Sequence, residues 1–60
     1  TINIDKNTTA EVLHTLSKDK SANVRSAVAL NNNVSIKTLK NLLKDEDENI
    51  RRIVIGVLKI

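Results

Sequence analysis

Apolar side chains recur at spacings of three and four in four short stretches, each closed by a polar turn. The first stretch runs through Ala10, Val12, Leu13 and Leu16. The second carries Val24, Ala27, Val28 and Leu30, and the third Ile36, Leu39, Leu42 and Leu43. The fourth is denser, with Ile50, Ile53, Val54, Ile55, Val57, Leu58 and Ile60. Such spacing lays each set along one face of a helix, so four short amphipathic helices are predicted and no strand. Cap chemistry sets their boundaries. Asn7 or Thr8 fits the first N-cap, with Thr8 three residues before Glu11 in capping-box spacing, and this helix should end near Lys18. Ser21, Ser35 and Asp47 fit the next three N-caps. Asp19–Lys20 and Asp45–Glu46 read as tight turns. Asn31–Asn32–Asn33 reads as a terminator, since asparagine competes for backbone hydrogen bonds and tolerates left-handed dihedrals. Asp47 and Glu48 also suit the positive end of the last helix dipole.

The second half of this pattern repeats the first at an offset of 26 residues. Asp19 to Arg25 returns as Asp45 to Arg51. Leu13 aligns with Leu39, Leu16 with Leu42, Lys18 with Lys44, Val28 with Val54 and Thr9 with Ser35. A short period running through nearly the whole chain implies stacked units and not one closed globule. The expected architecture is all-α: two stacked helical hairpins forming a short right-handed α-solenoid fragment. One domain, residues 1–60, divides into a first unit over about 4–29, a second over about 30–55 and a residual helix end at 56–60. Apolar positions of the last helix spread over roughly 220° of a helical wheel, far beyond the roughly 100° stripe of an ordinary surface helix. That excess predicts a face open to a further unit or to a second copy.

The pattern Leu13-x-x-Leu16-x-x-Asp19-(x)4-Val24-Arg25-x-x-Val28-Ala29-x-Asn31 resembles the leucine-rich repeat variant family, a helical relative of HEAT repeats. Leu39-x-x-Leu42-Leu43-x-Asp45-(x)4-Ile50-Arg51-x-x-Val54 resembles it again, so the likeness covers about residues 5 to 58. It departs where the family's proline is replaced by Asn32 and Asn33, and at Ile55–Gly56–Val57. The resemblance implies stacked pairs of short helices and binding through the repeat surface, not catalysis.

Composition narrows the function classes. At 60 residues, folding buries only about 60% of the unfolded chain's surface, so a marginal domain is expected. With no cysteine, disulfides and thiolate metal sites are excluded, and one histidine excludes a multi-histidine centre. No aromatic or methionine is present, so the core must come from Leu, Ile, Val and Ala. A net charge of +3 is a mild basic bias. No apolar run approaches the roughly 18 residues of a membrane span, and the opening residues show no signal-peptide pattern. A cytoplasmic protein without membrane contact is the expectation.

Four polar residues recur in register: Asp19, Arg25, Asp45 and Arg51. A ligand site seldom repeats with a fold, whereas a scaffold contact does, so they are expected to form a structural ladder. Each aspartate should then accept hydrogen bonds from its turn, and each arginine should pair with an aspartate of its own or the adjacent unit. Asp45 to Glu48 lacks the alternating ligands, central glycine and distal glutamate of a calcium loop. His14 has no carboxylate or nucleophile at usable spacing, and Ser17, Ser21, Ser26 and Ser35 read as caps or surface positions. The chain looks too short to enclose a pocket of some 300 Å³. No enzyme activity, cofactor, metal or small-molecule substrate is therefore expected. Lys37, Lys40 and Lys44 share one face of the third helix. Lys44 aligns with Lys18 and Lys40 with His14, so stacking should set these side chains in adjacent rows.

The expected function is non-enzymatic protein interaction, with a protein partner or as a homo-oligomer. Ile55, Leu58 and Ile60 would supply the apolar contact, and Lys37, Lys40 and Lys44 a charged rim. The alternative is a small basic nucleic-acid binder, whose affinity would fall steeply with salt. No aromatic is present for base stacking, which weighs against it.

Overall fold

The computed structural model describes residues 9–59, which form four α-helices and, among them, no strand. They are α1 (Ala10–Leu16), α2 (Ala22–Leu30), α3 (Ile36–Leu42) and α4 (Glu48–Leu58). Each is entered through an extended residue whose side-chain oxygen accepts a backbone N–H of the first turn: Thr9 from Val12, Ser21 from Val24, Ser35 from Thr38, and Asp47 from Asn49 and Ile50. Three of these caps are the expected ones. The first is Thr9 and not Asn7 or Thr8, because α1 begins at Ala10 and only Thr9 stands three residues before a free Val12 N–H. The alignment of Thr9 with Ser35 was the better guide than the capping-box spacing. Helix α1 closes at Leu16 with Ser17 as its C-cap, slightly short of Lys18.

The helices pack as α1 on α2 and α3 on α4, with the heaviest contact between α2 and α4. One core joins all four. Leu13, Val28, Ala29, Leu39, Leu42, Ile50 and Val54 are buried, with Leu16, Ala22, Val34, Leu43, Ile53 and Val57 packed around them. Three residues expected inside lie outside: Leu30 is 63% exposed, Ile36 58% and Val12 49%. The reason is angular. Burial of Val28 together with Ala29 centres the inner face of α2 between them, and at about 100° per residue Leu30 falls about 150° away. On α3 the inner face is Thr38, Leu39 and Leu42, which leaves Ile36 on the flank.

Gly56 lies inside α4, exposed, and a Cβ built there meets nothing within 4 Å. Its φ is not positive, so no conformational demand requires glycine. Gly56→Ala should therefore stabilise the fold by about 0.5–1 kcal/mol, through helix propensity and a less free unfolded chain. Urea denaturation followed by circular dichroism reads it; a lowered midpoint would contradict this account of α4.

Candidate interaction surface

Polar turn residues brace each helix pair, and one contact among them joins the two pairs. Asp19 Oδ1 accepts the Ser21 N–H at 2.8 Å, and Asp45 Oδ1 accepts the Asp47 N–H at the same distance. Arg25 Nη1 donates to the Asp19 carbonyl, and Arg51 Nη1 donates to the Asp45 carbonyl. Both contacts recur at the 26-residue offset. The remaining edge of Arg25 reaches across to the second pair, with Nε to Asp45 Oδ2 at 2.8 Å and Nη2 to Oδ1 at 3.2 Å. This two-pronged arrangement is the strongest geometry available to an arginine and a carboxylate. Its side chains are only 12% and 7% exposed, so it is screened far less than a surface pair. Burial alone would raise the Asp45 carboxyl. The Asp47 N–H, the Arg25 guanidinium and the nearby charge of Arg51 outweigh that and hold it below the usual carboxylate range. Hydrogen bonding to Asp45 likewise raises the Arg25 guanidinium, against the opposing effect of burial.

A second polar contact ties α1 to α3, and sequence reasoning missed it. Thr38 is fully buried, and its Oγ1 lies 2.8 Å from His14 Nδ1 and 2.9 Å from Ser35 Oγ. A threonine among lysines reads as a polar face, and its counterpart at the 26-residue offset, Val12, is itself 49% exposed, so the repeat carried no signal of its burial. Ser17, expected as a cap or surface residue, is the C-cap of α1 and is buried, with its hydroxyl donating to the His14 carbonyl. Among the described residues, no buried side-chain nitrogen or oxygen lacks a partner, and no group of three or more His, Asp or Glu side chains could hold a metal ion. His14 is committed to a buried hydroxyl, not to an exposed nucleophile.

Two of the three outlying apolar residues, Leu30 and Ile36, share one location. Leu30, Ile36 and Leu58 line an open cleft of about 490 Å³ with Ala29, Val34, Leu39 and Val57, where the end of α2, the Asn31–Val34 turn, the start of α3 and the end of α4 meet. Room for a pocket is thus larger than the chain length suggested, because the cleft is open and borrows its walls from three helices and a turn. Leu58, expected as a contact residue, is one wall of it. Ile55 is 47% exposed on the neighbouring flank of α4, and Ile60 lies outside the described residues.

The three lysines are all exposed and, among the described residues, unpaired with any acid. Lys37 lines a shallower groove of about 280 Å³ between α1 and α3, with Ala10, Glu11, His14 and Ser35. Lys40 and Lys44 line neither hollow. The Arg52–Glu48 pair on α4 is solvent-exposed at one helical turn's spacing and contributes only a few tenths of a kcal/mol. No described helix is long and apolar enough to cross a membrane. Compared with known proteins, the chain matches no family model, no curated relative and no solved structure.

Proposed function

We propose that this chain is a non-enzymatic helical-repeat module, its two helix pairs stacked as a short right-handed α-solenoid, that binds a protein partner or a second copy of itself. The contact surface runs along the C-terminal end of α4 and the adjoining cleft. One observation carries this reading: Leu30, Ile36 and Leu58 stay 63%, 58% and 36% exposed around a single cleft. A chain with so thin a core gains by burying those side chains, at about 25 cal/mol per Å² of apolar surface, and folding alone leaves them in water. The recurrence of turn contacts at the 26-residue offset supports the repeat reading, as does the resemblance of the Leu–Asp–Val–Arg spacing to leucine-rich repeat variants. A phosphate-binding role for the lysines has less behind it, since they do not gather around one hollow.

The reading predicts that Ile55→Asp combined with Leu58→Asp abolishes association while leaving a helical monomer. Sedimentation velocity with circular dichroism on wild type and variant measures both. Both side chains are substantially exposed, so the fold tolerates the charges. Unchanged association of the double variant removes this surface from consideration.

A further inference from the structure

The two ends of the ladder are complementary to each other. Arg51 is held by the Asp45 carbonyl as Arg25 is held by the Asp19 carbonyl, yet among the described residues no carboxylate meets Arg51 as Asp45 meets Arg25. At the other end, Asp19 accepts its turn N–H as Asp45 does, and among the described residues no side-chain cation pairs with it. Burial follows the same asymmetry. Ala29 is 1% exposed, whereas its counterpart Ile55 is 47% exposed. Ile50 is fully buried, whereas its counterpart Val24 is only half-buried. Arg51, Ile55 and Leu58 stand at spacings of four and three, hence on one flank of α4.

We infer that this flank docks a second copy of the chain head to tail. Arg51 grips Asp19 of the second copy, repeating between molecules the Arg25–Asp45 contact made within one. Side-chain size is compatible. Inside the chain a small Ala29 and a large Ile50 are buried in the same core, and at the outer junction their counterparts are a large Ile55 and a smaller Val24. Such an interface is heterologous: each copy uses a different patch, so addition continues as an open series instead of closing as a two-fold dimer. The inference rests on the self-association form of the proposed function and names its geometry.

A complementation experiment tests it. Arg51→Glu removes the donor end and keeps Asp19. Asp19→Asn removes the acceptor charge and keeps a side-chain oxygen for the Ser21 N–H. Circular dichroism verifies that both variants fold. In sedimentation equilibrium the wild type should show a series of species that grows with concentration. Each variant alone should associate at least about thirtyfold more weakly, as when one member of a desolvated interfacial charge pair is lost. An equimolar mixture should recover one wild-type junction and stop at a 1:1 dimer. A wild type that stays monomeric at several hundred micromolar overturns both this inference and self-association itself. Variants that associate like the wild type, or a mixture that recovers nothing, overturn the head-to-tail geometry and leave the apolar surface standing.

Discussion

Ile50→Ala should leave the chain largely unfolded at 25 °C. Ile50 is fully buried where α4 meets the common core, in one cluster with Val28 and Val54. Removing three carbons there forfeits their transfer energy and leaves a cavity, together about 2–5 kcal/mol. A domain of this size, without a disulfide, metal or aromatic in its core, rarely holds more than about 3–5 kcal/mol in total. One truncation therefore takes most of the stability. The control is Leu30→Ala, the same kind of change at a side chain 63% exposed, which should move stability by no more than about 0.5 kcal/mol. Helical circular dichroism with urea titration compares the two. An Ile50→Ala chain that keeps a cooperative transition within a few tenths molar of wild type would refute the assignment of the core.

The second large effect belongs to Asp45, whose side chain serves both its own turn and the first helix pair. Asp45→Ala loses the acceptor for the Asp47 N–H and the carboxylate between the two arms of Arg25, and should destabilise by about 2–3 kcal/mol. Its pH dependence separates the charge from the turn. The folded-state carboxyl titrates below its ordinary range, so the unfolded chain binds the proton more readily. The stabilisation is therefore complete above the unfolded value of about 3.9 and fades as pH falls through the lower, folded one. Asp45→Asn keeps an oxygen for the turn and removes the charge. The stability gap between wild type and Asp45→Asn should be widest near neutrality and narrow progressively below about pH 4. A gap that stays constant from neutral to acid pH would mean that the charge pair contributes nothing.

Taken together, these effects explain why so short a chain holds one arrangement of its helices. Aliphatic side chains alone are interchangeable in shape, and a core of Leu, Ile and Val admits many near-equivalent packings. The Arg25–Asp45 contact and the His14–Thr38 contact each tie the first helix pair to the second at a fixed point. Sliding one pair against the other would leave a guanidinium or a buried hydroxyl without its partner, at a cost comparable to the whole stability of the domain.

What could be read from the residues was local. Four helices, three of four N-caps and both aspartate turns follow from spacing and capping chemistry, because those interactions are made within a few residues of the chain. What could not be read was which flank of each helix faces inward. Leu30 and Ile36 are as apolar as Leu39, and Thr38 as polar as Thr15. Only the packing of α2 on α4 and of α1 near α3 sends Thr38 and Ser17 inside and leaves Leu30 and Ile36 out. Periodicity gives a helix an apolar side tens of degrees wide, and the choice within that width belongs to its neighbours. The cleft between Leu30, Ile36 and Leu58 arises from that choice, so the sequence carries its side chains but not its existence.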